Sequence, residues 1–258
     1  MSLNMKRLWI TICWLILMLA FLSGCAQDKT IIIKKARAKE RLGNSLLIDG
    51  RFEEGLKELL EAEKLLPDDP EIQNSLGLAY RDVGKLDEAI RHFQQALQLR
   101  PNYPEVINNL GTVYLIKRDY DKALKLFKKA AEDVTYRTPY IAYTNLGYVY
   151  HVKGDYKKAI FYYQKAVEKF PGYSVAHDNM GLAYEKLKKW DDAVECYKLA
   201  IQFAPDAPVP HLHLAKVYLT LDLKKDAAHE LLETIKADKT GPYGKEAKRL
   251  LEQLRLKE

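Results

Sequence analysis

Apolar and polar positions alternate along this chain with two periods, one local and one long. Locally, Ile72, Leu76, Ala79 and Tyr80 recur three and four positions apart, and Ala89, Ile90, Phe93 and Ala96 do so again. That spacing puts each set on one face of an α-helix. Between the two runs Asp82-Val83-Gly84-Lys85 reads as a tight turn, and Pro101 stops the second helix. Over the longer range the whole unit returns after about 34 residues. Leu110-Gly111, Tyr114, Ala123, Phe127 and Ala130 stand where Leu76-Gly77, Tyr80, Ala89, Phe93 and Ala96 stood.

The pattern gives five clear copies and one degenerate copy: residues 36–69, 70–103, 104–137, 140–173, 174–207 and, degenerate, 208–241. Each first helix has a small residue at one position: Gly43, Gly77, Gly111, Gly147, Gly181 and Ala215. Each second helix has one near its start: Gly55, Ala89, Ala123, Ala159, Ala193 and Ala227. These let the two helices approach closely, and a larger side chain there would overpack by about 1–3 kcal/mol. Leu59, Phe93, Phe127, Tyr163, Tyr197 and Leu231 fill the remaining space. Pro67, Pro101, Pro171 and Pro205 follow second helices, which a proline cannot continue, while Pro70, Pro104 and Pro208 suit a first helical turn. Gly50, Gly84 and Gly154 mark turns that want a positive φ; Arg118, Lys188 and Asp222 replace glycine in the others, which predicts slight strain.

The unit resembles the tetratricopeptide repeat. The resemblance implies an all-α fold, a right-handed α-solenoid of about six helix hairpins over residues 36–241. Residues 242–258 form a capping helix with Ala247, Leu250, Leu251 and Leu254 on one face, as an open repeat end requires. Two departures stand out. The junction from Glu132 to Pro139 is longer than the period and lacks the usual proline. The last repeat carries Thr234 and Lys239 where Ala and Pro recur elsewhere.

Residues 1–24 read as a lipoprotein signal peptide. Lys6-Arg7 precede an uncharged apolar run from Leu8 to Leu22, of signal-sequence length, which ends in Leu22-Ser23-Gly24-Cys25. This resembles a bacterial lipobox. It implies lipidation on Cys25, cleavage before it, and acyl chains that hold the protein on a membrane. Ala26, where an Asp would retain the protein, favours the periplasmic face of the outer membrane by the same resemblance. Residues 25–35 read as a lipidated tether. Within them Ile31-Ile32-Ile33 and Lys34-Lys35 are expected to begin the first repeat helix, with Ile packed on its neighbour; the alternative is contact with the lipid surface. Cys13 leaves with the signal, so Cys196 is left without an internal disulfide partner and is expected to pack as a small apolar residue.

The chain has 258 residues and a formal charge of +6, and the charges are interspersed without a basic, aromatic-rich run. Nucleic acid is therefore not an expected partner. No phosphate loop, paired-carboxylate motif or metal spacing occurs. His211 and His213 lie two apart on a helix and point to different sides. His177 and His211 fall on packing positions. The reading is a non-enzyme without cofactor or metal; an enzyme would need a further catalytic segment.

In the tetratricopeptide resemblance the first helices line a concave groove. The positions carried over are Glu71, Asn74, Leu78, Arg81 and Asp82 in the second repeat; Glu105, Asn108, Thr112, Leu115 and Ile116 in the third; Ile141, Thr144, Tyr148, His151 and Val152 in the fourth; Val175, Asp178, Leu182, Glu185 and Lys186 in the fifth; and Val209, Leu212, Lys216 and Leu219 in the sixth, with the binding groove assigned to residues of the third to sixth. The later ones are the more apolar, which suits a protein or peptide segment as ligand. Glu40, Glu105, Asn108, Thr144 and Asp178 occupy the places of a carboxylate clamp and argue against one. A lipobox before tetratricopeptide repeats, with a lengthened junction before Asn145-Leu146-Gly147, resembles the outer-membrane pilotin lipoproteins of type IV pilus biogenesis. That resemblance implies binding of a secretin subunit, its delivery and its assembly. The alternative is a lipoprotein adaptor for cell-envelope enzymes such as peptidoglycan hydrolases or a polysaccharide export complex.

Overall fold

The computed structural model describes residues 29–255, which contain thirteen helices and no strand. Helix α1 covers residues 29–48. It is followed by α2 (Phe52–Leu65), α3 (Pro70–Asp82), α4 (Leu86–Leu99), α5 (Pro104–Ile116), α6 (Tyr120–Ala131) and α7 (Pro139–Val152). Then come α8 (Tyr156–Lys169), α9 (Ser174–Lys186), α10 (Trp190–Phe203), α11 (Pro208–Thr220), α12 (Lys224–Ala237) and α13 (Pro242–Arg255). The signal segment and Cys25 lie outside the described residues. The chain forms two compact units, one ending at Val113 and the next starting at Tyr114.

In the first unit α2 packs on α3 and α3 on α4. Ala36, Leu59, Ala62, Ile72, Leu76 and Ala79 form its core. One polar side chain lies fully inside. Gln73 donates from Nε2 to the Pro67 carbonyl at 2.9 Å and to Glu63 at 3.0 Å, and its Oε1 accepts from His92 Nδ1 at 2.7 Å. The amide thus satisfies the Pro67 carbonyl, which lies in the turn after α2, outside any helical ladder. Residues 29–35 are helical, which shortens the expected tether. Ile31, Ile32 and Ile33 are exposed, contrary to the expected packing, because α1 first meets the core at Ala36.

In the second unit the first helices touch one another, α7 on α9 and α9 on α11, while α8 packs on α9 and α10 on α11. Each core draws on neighbouring repeats. Tyr163 of α8 meets Met180 and Ala183 of α9; Tyr197 of α10 meets Leu214 and Val217 of α11. No hairpin buries its apolar face alone, so stability passes between nearest neighbours. The small residues work as read. A Cβ on Gly147 would lie 2.5 Å from the Tyr163 ring, and one on Gly181 would lie 2.5 Å from the Tyr197 ring.

Arg118, Lys188 and Asp222 have φ of 61°, 56° and 56°, the left-handed backbone that Gly50, Gly84 and Gly154 adopt in the sister turns. In the long junction, Asp133 Oδ1 accepts from the Thr135 N–H at 2.8 Å and hydroxyl at 2.6 Å. Tyr136 is buried there while Val134 stands 98% exposed. Where the last repeat lacks its proline, Asp238 takes over the punctuation. Its carboxylate accepts from the N–H groups of Gly241 (2.8 Å), Tyr243 (3.0 Å) and Gly244 (3.1 Å), which hold its pKa below the usual carboxylate range. It thereby caps α13, and Ala247, Leu250 and Leu251 of α13 close over Leu212, Ala215 and Leu231.

Candidate partner-binding surface

Within the first unit the first helices are joined by polar groups. Ser75 of α3 receives Asn44 Nδ2 at 3.2 Å and gives its hydroxyl to Glu40 at 3.3 Å; Asn109 Nδ2 donates to Asn74 Oδ1 at 3.1 Å. Glu40 is buried and held by Arg37 at 2.6 Å. Of the expected groove residues here, Asn108 is buried and Thr112 is half-buried, its hydroxyl turned back to the Asn108 carbonyl at 3.2 Å.

The second unit differs. Tyr148, Val152 and Val175 are 45%, 44% and 49% exposed, a large apolar area to leave in water on adjacent helices. Tyr148 and Val152 join Leu115 and Ile116 at the end of α5, Arg118 in the turn, and Tyr120 at the start of α6. Together these six line an open recess of about 440 Å³. Arg118 and Tyr120 were not among the expected groove residues. They belong to the turn and to the second helix, where Arg118 has a left-handed backbone, and both line the recess.

Other expected positions serve the fold. Thr144 is buried and donates to the Tyr140 carbonyl at 2.8 Å. Leu182 is half-buried against the Tyr197 and Leu214 core, and Leu212 is 2% exposed beneath α13. Asp178 is buried and pairs with His213 Nδ1 at 2.8 Å, tying α9 to α11. His213 also meets the Tyr197 ring, whose hydroxyl donates to Glu185. Ile141 and Val209 are half-buried. His151 is half-buried with its edge on Tyr156 at 5.2 Å, and burial lowers its pKa, with Lys186 adding to the effect.

The remaining reactive groups are tied into packing. His177 Nε2 meets the Pro171 carbonyl at 2.8 Å and His211 Nε2 meets the Pro205 carbonyl at 3.0 Å, each repeating the role of Gln73. Burial pushes the Cys196 thiol up to about 12, so it stays protonated and unreactive at neutral pH. No group of three His, Cys, Asp or Glu among the described residues is arranged to hold a metal.

The helical hairpins have a match among known families. A profile described as Tetratricopeptide repeat covers residues 35–102, 68–135, 103–172 and 138–206. The chain belongs to the tetratricopeptide repeat family. No curated protein matches it. Several solved tetratricopeptide-type structures do. PilW, described as a widely conserved type IV pilus biogenesis factor, superposes with a TM-score of 0.70 at 20% identity over 81% of this chain and 96% of its own. Pseudomonas aeruginosa pilF superposes at 0.69 and 17% identity, over 87% of this chain and 98% of its own. YrrB, described as a TPR protein with an unusual peptide-binding site, does so at 0.51 and 20% identity, over 74% and 97%. At these identities the likeness is one of fold.

Proposed function

We propose that this protein is a non-enzymatic scaffold, held by a lipidated Cys25 on the periplasmic face of the bacterial outer membrane, that binds a type IV pilus secretin subunit and aids its delivery or assembly. The observation that carries the binding half is the recess of Leu115, Ile116, Tyr148 and Val152. It is open, it sets these four side chains beside Arg118 and Tyr120, and it is formed mainly by first-helix ends of consecutive tetratricopeptide repeats. Burying such side chains against a partner contributes about 25 cal/mol per Å² of apolar area. Support for the pilus half is the correspondence of fold over nearly the whole length of PilW and pilF, together with the lipobox read at Cys25.

The test is a crosslinked pull-down from native envelopes. Tyr148→Ala with Val152→Asp alters only exposed side chains, so the protein stays folded, and recovery of secretin is expected to fall at least tenfold. Unchanged recovery from a folded variant removes the recess from the function. Recovery of a hydrolase or polysaccharide-export protein in place of secretin supports the envelope-adaptor reading. Cys25→Ser is expected to move the protein out of the membrane fraction; a variant that stays there as wild type does defeats the lipoprotein reading.

A further inference from the structure

We propose that the N-terminal turns and outer face of α1 rest on an anionic lipid surface. The inference builds on the lipoprotein reading of Cys25, and three observations on α1 carry it.

The first is apolar exposure. Ile31, Ile32 and Ile33 are 56%, 41% and 39% exposed. Consecutive residues of a helix point about 100° apart, so the three span some 200° of its circumference. A single packed helix covers one stripe and cannot take up all three. The soft boundary between headgroups and acyl chains can, because it closes around an inserted helix end.

The second is charge. Within residues 29–48 the only acid is Glu40, and it is turned inward, 8% exposed, with Arg37 Nη1 at 2.6 Å. Lys34, Lys35 and Arg41 are exposed and make no ion pair among the described residues. The outward charge of the helix is therefore positive. Each such cation near an anionic surface raises partitioning about fivefold.

The third is reach. Only Ala26, Gln27 and Asp28 lie between Cys25 and the first described helical residue. Fully extended, that stretch spans about 14 Å, roughly half the ~30 Å length of a 20-residue helix. An acylated Cys25 thus keeps Ile31 to Ile33 close to the headgroups. The repeats are then held against the bilayer through α1, rather than swinging on a free leash.

A nitroxide placed on the full chain at Ile32→Cys, in a Cys196→Ser background, tests this. The protein is reconstituted into vesicles of phosphatidylethanolamine with phosphatidylglycerol, and separately into phosphatidylcholine. In the anionic vesicles the label is expected to be reached by oxygen several-fold more than by an aqueous nickel complex. The same label at exposed Val134→Cys is expected to behave oppositely. Lys34→Glu, Lys35→Glu and Arg41→Glu should reduce the lipid-contacting population by about fivefold for each cation removed. A label at position 32 as open to nickel as that at 134 overturns the inference. Intact mass reports acylation separately. An unmodified Cys25 defeats the lipoprotein reading; with Cys13→Ser and Cys25→Ser then added so that position 32 alone carries the nitroxide, lipid contact sustains the surface inference and water contact overturns it.

Discussion

Gly181 has no room for a side chain, because the Tyr197 ring lies 2.5 Å from where its Cβ would be. Backbone and ring would both have to shift. Gly181→Ala is expected to cost about 1–3 kcal/mol, read from urea unfolding. Lys188 shows the opposite case. It holds φ of 56° in a turn where glycine would sit without strain. The left-handed backbone costs a side chain about 1–2 kcal/mol, and the entropy of glycine returns about 0.5–1 of that. Lys188→Gly should therefore stabilise by about 0.5–1 kcal/mol in the same assay. His211 is a pH-dependent contact. Its hydrogen bond to Glu230 at 2.6 Å, opposed by burial and helped by the Pro205 carbonyl, raises its pKa. A raised folded pKa stabilises fully below the unfolded value of about 6.5 and is lost as pH climbs through the folded value. Glu230→Gln should lower the melting temperature at about pH 6 and converge on wild type near about pH 9. His92 works in reverse: burial lowers its pKa, so its contribution holds above the unfolded value and fades as pH falls.

Helices here depend on neighbours more than on themselves. Leu231 of α12 is fully buried against Leu212 and Ala215 of α11 and Ala247 of α13. Leu231→Ala is expected to cost about 2–5 kcal/mol. Because each repeat touches only the next, the loss should stay local. Hydrogen exchange should speed up in α11, α12 and α13 and remain unchanged in α2, α3 and α4; acceleration in those three would contradict nearest-neighbour stacking. Asp238→Ala should loosen the first turn of α13 specifically, seen as faster hydrogen exchange there, since the N–H groups of Tyr243 and Gly244 in that turn and of Gly241 just before it lose their acceptor.

For the whole molecule, function turns on which surface meets a partner. Two of the exposed apolar sites among the described residues of the second unit are candidates. One is the recess with Tyr148 and Val152; the other is Phe161 on α8, 49% exposed and capped by Lys165 at 4.9 Å. Carbene footprinting of the envelope-bound protein is expected to protect Tyr148 and Val152 and to leave Phe161 labelled. Protection of Phe161 alone would transfer the proposed binding role to the second-helix face.

The two periods in the sequence were enough to specify the helix hairpins and the family. Glycine opposite a large ring, proline at helix boundaries and glycine in turns are local rules that act through backbone geometry, and they hold repeat by repeat. Burial of His177 and His211 was legible for the same reason, since their positions in the period are core positions. Their bonds to proline carbonyls six residues back were not, because the path of the turn sets that distance. The fate of the groove residues was decided only in three dimensions. Leu212 and Val175 were both carried over as apolar groove residues, yet α13 covers the first and the second stands 49% exposed. Exposure depends on what the next helix leaves open. Arg118 and Tyr120 line the recess because the turn after α5 and the start of α6 lie against the end of α7, and Ile31 to Ile33 stayed uncovered because packing on α1 begins at Ala36.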